Sequence, residues 1–235
     1  MNIRALILAA IISVAFFGFA QSKPAAPKTG DKQNAEDPAF EPVVDDPKLP
    51  RVLLIGDSIS IGYTAPVRNL LREKANVHRI PTNGGPTTNG LAHLKQWLGD
   101  GKWDVIHFNW GLHDLKFMPD GKRQVDTENY DKNLRELVRQ LKATGAKLIW
   151  ASTTPVPEGN LNPPRKSADV VVYNAIARRI MQENKIAVDD LYNFALPRLA
   201  EIQRPANVHY TSQGYDRLAK QVAQSIQLAL AGGIQ

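Results

Sequence analysis

The chain alternates short apolar runs with longer stretches whose apolar side chains recur every three or four residues. Runs at 51–55, 76–80, 103–109, 147–151 and 186–188 have the length and composition of buried strands. The stretches between and after them have the spacing of amphipathic helices. Strands that alternate with helices in this way predict a parallel sheet covered by helices on both faces.

Six helical segments follow from the same periodicity. Gly99 and Gly145 end two of them, Pro197 perturbs the fifth, and Ser212 is expected to cap the last. The segments are 63–74, 91–98, Asp126 or Thr127 to about 144, 170–184, 192–202 and 211–230. Ligand sites in such folds lie beyond the carboxyl ends of the strands, so the loops there are the places to look for chemistry.

The first apolar run ends at Gly56-Asp57-Ser58, and a helix begins just after it. A serine at this turn lies near backbone N–H groups that stabilise negative charge, which suits a nucleophile. The same three residues also fit an ordinary turn with an N-cap serine. These residues alone leave both interpretations open.

Other loops at the same predicted edge supply the partners that a serine nucleophile needs. His209, just before the last helix, is placed to take the proton of Ser58. Backbone N–H groups of Ser58 and Gly85 and a side chain at position 113 are candidate donors to a tetrahedral oxyanion. These four positions together indicate a serine hydrolase site more strongly than any one of them alone.

Four short blocks in this chain resemble those of the SGNH, or GDSL, hydrolases. They are Gly-Asp-Ser at 56–58, Gly85 within Gly-Gly-Pro-Thr-Thr, Gly-x-x-Asp at 111–114 and Val-His-Tyr-Thr at 208–211. The resemblance implies a flavodoxin-like three-layer α/β/α sandwich with a five-stranded parallel sheet, no metal or cofactor, and ester hydrolysis through an acyl-enzyme. It also implies Ser58 as nucleophile, His209 as base and Gly85 as an oxyanion-hole donor.

The chain departs from the family pattern at two positions. His113 stands where the family usually has asparagine, and its imidazole N–H either replaces that donor or merely packs within the loop. Ala206 stands where the family has the aspartate that orients the histidine. A backbone carbonyl, Asn207 or a distant acid such as Asp190 then has to orient His209, and we favour a Ser–His dyad.

A few further residues have predicted roles near the site. Asp57 is expected to support it by holding the turn through backbone hydrogen bonds, and Trp110 to contact substrate. Trp103 is expected in the core. His78, His93 and His107 lie within strands or helices and are expected to pack or to face solvent. The proline-rich loop 152–167 is expected to be functional or mobile, because loops of this length in a compact domain usually are.

Residues 1–20 combine Arg4, an apolar run and a small-residue pattern before Gln21, which predicts a cleavable export signal. The alternative is an uncleaved N-terminal anchor. Residues 21–48 lack apolar periodicity and are predicted to be a disordered linker, so that the catalytic domain comprises 49–235. After signal cleavage, no integral membrane span is expected.

Composition narrows the function classes. The chain has no cysteine, which excludes disulfides and cysteine metal sites, and the histidine spacing predicts no metal site. The net charge of +6 comes from scattered lysines and arginines rather than from a basic stripe with aromatics, so nucleic acid is not an expected partner.

Three functions remain. The first is a secreted or periplasmic serine esterase that removes short acyl groups, most often acetyl, from a small-molecule or polysaccharide ester. The second is a lysophospholipase or thioesterase for longer chains, with loop 152–167 as a cover. The third is a binding module that has kept the fold and lost catalysis, motivated by His113 and Ala206.

Overall fold

The computed structural model describes residues 37–232, and its centre is a five-stranded, all-parallel sheet. The predicted export signal and residues 21–36 of the predicted linker lie outside the described residues. The spatial order of the strands is β2-β1-β3-β4-β5. The strands are β1 (Arg51–Ile55), β2 (Asn76–Arg79), β3 (Val105–Phe108), β4 (Lys147–Ala151) and β5 (Ala187–Asp189). This is the flavodoxin-like order, which reverses direction between β1 and β3.

The helices form two groups against the sheet. The first and last helices pack together, and the three long helices between them pack in a row. The helices are α1 (Ser58–Leu70), α2 (Thr87–Leu98), α3 (Thr127–Lys142), α4 (Ser167–Asn184), α5 (Leu191–Ala195), α6 (Leu199–Ile202) and α7 (Ser212–Leu230). The predicted α/β sandwich is therefore confirmed. Across residues 37–232, none of these helices has the length and apolarity to cross a membrane.

The prediction of a disordered linker up to residue 48 is wrong for residues 37–48. A short 3₁₀ helix at Pro38–Phe40 buries Ala39, and Arg68 of α1 donates to the Pro38 carbonyl at 2.9 Å. Asn76 accepts from the Asp46 backbone N–H and donates to its carbonyl, each at 2.9 Å. Polar side chains of the domain thus hold a segment that is too poor in apolar residues to show periodicity.

The N-caps of two helices differ from the residues considered for them in the sequence, and α1 begins five residues before the predicted start at residue 63. Asp57, not Ser58, is the N-cap of α1, because its side chain accepts the Ile59 N–H at 2.9 Å. Likewise Thr211, not Ser212, caps α7 by accepting the Gly214 N–H at 3.0 Å. Each cap lies one residue earlier than expected. Ser58 is consequently the first helical residue, and its hydroxyl is not used as a cap.

Helices α1 and α7 approach each other closely at a glycine. A Cβ atom at Gly62 would lie 2.2 Å from the ring of Tyr215 in α7, which is too close for any side chain. The glycine therefore lets the aromatic ring lie directly against the α1 backbone. This contact brings the loop before α7 next to the start of α1.

Candidate active site

The turn after β1 presents Ser58 at the carboxyl edge of the sheet. Asp57 is 4 % exposed and is held in the turn by its bond to the Ile59 N–H, whereas Ser58 remains half-buried and accessible. The Ser58 N–H lies in the first turn of α1, where backbone donors have no intrahelical acceptor. The expected supporting role of Asp57 corresponds to this cap.

His209 connects Ser58 to Asn207. The imidazole Nε2 lies 2.9 Å from Ser58 Oγ, and Nδ1 lies 2.7 Å from Asn207 Oδ1. The backbone N–H of His209 also donates to Asn207 Oδ1, at 2.9 Å. Because a backbone N–H is always a donor, the atom facing it is the amide oxygen. Nδ1 is then the protonated nitrogen, and Nε2 keeps its lone pair for the serine hydroxyl.

The geometry selects Asn207 among the partners considered for His209. Ala206 adopts φ 48°, a left-handed conformation uncommon for alanine, immediately before Asn207. Asp190 instead caps α5 and pairs with Arg178 at 2.8 Å. The imidazole is therefore oriented by a neutral amide from its own loop.

The pKa of His209 lies below its ordinary value. Burial disfavours the imidazolium, the charge of Asp57 acts in the opposite direction, and the positive charges of Arg204 and Arg165 lower the pKa further. Asn207 adds no negative charge that would offset these effects. The imidazole is consequently neutral, and able to accept a proton, over a wider range on the acid side of neutrality.

The candidate oxyanion donors differ in their surroundings. His113 lines the same cleft as Ser58 and His209, and burial lowers its pKa, which keeps its imidazole neutral. The N–H of Gly85 points instead to Asn83 Oδ1 at 2.9 Å. Gly85 therefore has an internal acceptor that an oxyanion would have to displace. Asn83 itself lines the cleft.

Asp114 joins the loop after β3 to the start of α2. Its Oδ1 accepts both the N–H and the hydroxyl of Thr87, at 2.9 and 2.5 Å. Burial raises the pKa of this carboxyl to about 7. The Gly-x-x-Asp block thus fixes the loop that carries His113, through a side chain that faces away from solvent.

Trp110 is a correction to the predicted site. It is 1 % exposed, and a Cβ at Gly90 of α2 would lie 2.8 Å from its ring, so it packs beneath α2 and presents no face to a substrate. Trp103 is only partly buried, beneath the Arg51 guanidinium. The large flat surface of Trp110 favours burial wherever a glycine makes room for it.

Residues that the sequence did not single out complete the cleft, whose volume is about 370 Å³. Asn83, Lys116 and Arg165 line it, together with Leu161–Pro163 from the long loop after β4. Their positions in the sequence could have identified them, because each lies in a loop that follows the carboxyl end of a strand. Loop 152–167 forms part of the wall of the cleft.

The remaining histidines lie outside the cleft. His78 contacts Asp45 and His93 stacks on Trp97, while His107 is buried against Asp189 at 3.0 Å. Among the described residues, no group of three or more His, Cys, Asp or Glu side chains is arranged to hold a metal ion.

Comparison with known proteins identifies the family. The model of the GDSL-like lipase/acylhydrolase family matches residues 54–217, and the chain belongs to this family. It is a carboxylic ester hydrolase by class. No curated protein matches the sequence.

Solved structures share the fold at low sequence identity. The acetyl xylan esterase AlAXEase has a TM-score of 0.65 at 16 % identity, over 75 % of this chain and 99 % of its own. A lipase/acylhydrolase from Enterococcus faecalis has a TM-score of 0.65 at 19 % identity, over 77 % of this chain and 96 % of its own. The acetylxylan esterase Axe2 from Geobacillus stearothermophilus has a TM-score of 0.62 at 22 % identity, over 75 % of this chain and 94 % of its own.

Replacing Asn207 with aspartate tests how the amide sets the pH dependence. Activity that requires neutral His209 is lost as pH falls through the histidine pKa, so the acid limb of kcat/KM should lie below the ordinary histidine value. In Asn207→Asp, a carboxylate beside Nδ1 should raise that pKa and move the limb upward by about one unit. A pH–rate profile measures both. Identical limbs in the two proteins would contradict this account of the site.

Proposed function

We propose that the protein is an exported serine esterase that removes short acyl groups, most often acetyl, from carbohydrate. The observation that carries the proposal is the hydrogen-bonded chain from Asn207 through His209 to Ser58, at the edge of a polar cleft. Ester hydrolysis needs this order of orienting group, base and nucleophile.

Acylation begins when Ser58 Oγ attacks the ester carbonyl carbon and His209 Nε2 takes the hydroxyl proton. Asn207 holds Nδ1–H and stabilises the imidazolium without accepting its proton. The tetrahedral oxyanion receives N–H bonds from the Ser58 backbone and the His113 side chain, with Gly85 available once its bond to Asn83 is exchanged. His209 then protonates the departing alcohol, and the carbon–oxygen bond to that alcohol breaks.

Deacylation repeats the sequence with water as the nucleophile. His209 takes a proton from water as its oxygen attacks the acyl-serine, and the same donors hold the second oxyanion. The proton returns to Ser58 Oγ as the acyl–serine bond breaks, which releases the carboxylic acid. No cofactor enters either half of the reaction.

The lining of the cleft favours a hydrophilic ester with a short acyl group. Eight of its twelve lining residues carry polar or charged side chains: Ser58, Asn83, His113, Lys116, Asn162, Arg165, Asn207 and His209. The other four lining residues, Leu161, Pro163, Ala206 and Val208, have apolar side chains. A long acyl chain would contact only four apolar side chains here, whereas its binding depends on burying many methylene groups. Acetyl xylan esterases among the structures of similar fold agree with this choice.

A Ser58→Ala variant tests the nucleophile and the acyl preference together. We expect wild type to release acetate from an acetylated polysaccharide and to prefer acetyl over longer 4-nitrophenyl esters, and Ser58→Ala to lose activity on all of them. Fluorophosphonate should label wild type but not Ser58→Ala. Ser60→Ala, two residues further along α1 and buried, is the matched control. Retained activity in Ser58→Ala would exclude the proposed mechanism, and a preference for long chains would favour the lysophospholipase or thioesterase alternative.

Substitution of His113 tests its role as an oxyanion donor. His113→Ala should lower kcat by about 10²- to 10³-fold, because one N–H bond to the developing charge is lost. His113→Asn keeps an N–H donor and should recover part of that loss. If the alanine variant turns over like wild type, His113 only packs within its loop.

Export follows from the predicted signal at residues 1–20. Expression of the full chain in a bacterial host should yield a secreted or periplasmic protein whose N-terminal sequence begins at Gln21. Intact Met1 on a membrane-associated protein would instead favour the uncleaved anchor.

A further inference from the structure

Two cationic side chains line the cleft beside the proposed catalytic pair. Lys116 lies in the loop after β3, and Arg165 lies in the loop between β4 and α4. Two backbone carbonyls hold Arg165: its Nε donates to Leu112 at 3.0 Å and its Nη1 to Pro163 at 3.2 Å. These bonds leave Nη2 without a protein acceptor among the described residues.

The cleft contains no acid to neutralise these charges. No aspartate or glutamate is among its lining residues, and within residues 37–232 no carboxylate lies within 4.0 Å of either cationic group. Asp57, whose charge reaches Arg165, is buried and already accepts the Ile59 N–H. The cleft therefore holds two cationic groups next to Ser58, and neither forms an ion pair with a carboxylate of the described residues.

The cationic side chains of Lys116 and Arg165 are costly to hold near each other when no anionic ligand is bound. Partial burial lowers the pKa of both side chains, and the charge of Arg165 lowers that of Lys116 further. Two partly desolvated like charges repel each other, and an oxyanion between them would relieve that repulsion. A guanidinium held by backbone carbonyls has also lost much of its rotamer freedom before a ligand binds.

We propose that Lys116 and Arg165 form a recognition site for an anionic oxygen group, a carboxylate or a phosphate, that the substrate carries near its ester. This deepens the proposed function and rests on it: the ester would be an acylated acidic sugar rather than a neutral one. The Nη2 group of Arg165 and the ammonium of Lys116 donate to the anion, while Ser58 and His209 act on the neighbouring acyl group. The charge would also steer such substrates into the cleft, so the preference for them should decline as salt is added.

The kinetic test compares esters that differ only in the group at carbon 6 of the sugar, which is neutral in one and anionic in two. The probes are methyl glucoside, methyl glucuronide and methyl glucoside 6-phosphate, each acetylated at the same hydroxyl. We expect wild type to have a kcat/KM about tenfold higher for at least one anionic probe than for the neutral one, the fold-change expected of one charge-assisted hydrogen bond. The better anion identifies the group. In Lys116→Gln the anionic-to-neutral ratio should fall towards one.

Lys122→Gln is the matched control, because Lys122 is exposed in the same loop region and does not line the cleft. Its ratio should equal that of wild type. Lys116 is the better first substitution because its side chain makes no hydrogen bond within the described residues, whereas Arg165 supports two carbonyls. A ratio near one in wild type, or an unchanged ratio in Lys116→Gln, would overturn the proposal.

A binding measurement separates this proposal from the esterase function. Calorimetric titration of Ser58→Ala with the three non-acetylated sugars needs no turnover. Tighter binding of an anionic sugar than of methyl glucoside, lost on adding Lys116→Gln, supports the anion site even if no ester is cleaved. Equal binding of all three sugars would refute the site while leaving the esterase proposal intact.

Discussion

The chemistry proposed for this protein depends on one hydrogen bond, from the backbone N–H of His209 to the side-chain oxygen of Asn207. That bond fixes which end of the amide faces the imidazole, and thereby which imidazole nitrogen carries the proton. A carboxylate has two equivalent acceptors and needs no such control. An amide flipped by half a turn would present a donor to Nδ1 and leave Nε2 protonated, unable to take a proton from Ser58. The backbone geometry of the loop before α7 therefore orients the imidazole and sets its tautomer, a task that a carboxylate performs in the Ser-His-Asp triad.

The sheet and the helix packing deliver these groups to one place. The reversal of strand order between β1 and β3 leaves an opening at the carboxyl edge, and the turn that carries Ser58 lies beside it. The Gly62 contact with Tyr215 then draws α7 against α1 and carries His209 to within hydrogen-bond distance of Ser58. Neither Gly62 nor Tyr215 lines the cleft, yet a side chain at position 62 would push His209 away from Ser58.

Much of the architecture could be predicted from the sequence because periodicity reports burial directly. The five strands, the long helices and the convergence of Ser58 and His209 on one edge followed from it and from the four short blocks. The partner of His209 could not be chosen, because it depends on the left-handed backbone at Ala206. Trp110 was misplaced because its position in the sequence could not reveal that Gly90 makes room for it. The segment at 37–48 was missed because hydrogen bonds, which have no periodicity, hold it.

The bond between the Gly85 N–H and Asn83 has a consequence for selectivity between the ground state and the transition state. A neutral ester carbonyl is a weaker acceptor than the Asn83 amide oxygen, so it gains nothing by displacing that amide. A tetrahedral oxyanion forms a charge-assisted bond, roughly twice as strong. If Gly85 serves as a donor, the Asn83 oxygen competes with the bound ester for the Gly85 N–H and cancels much of its affinity for the neutral carbonyl. The preference of that N–H for the charged oxyanion remains. An occupied donor of this kind would favour turnover over tight substrate binding.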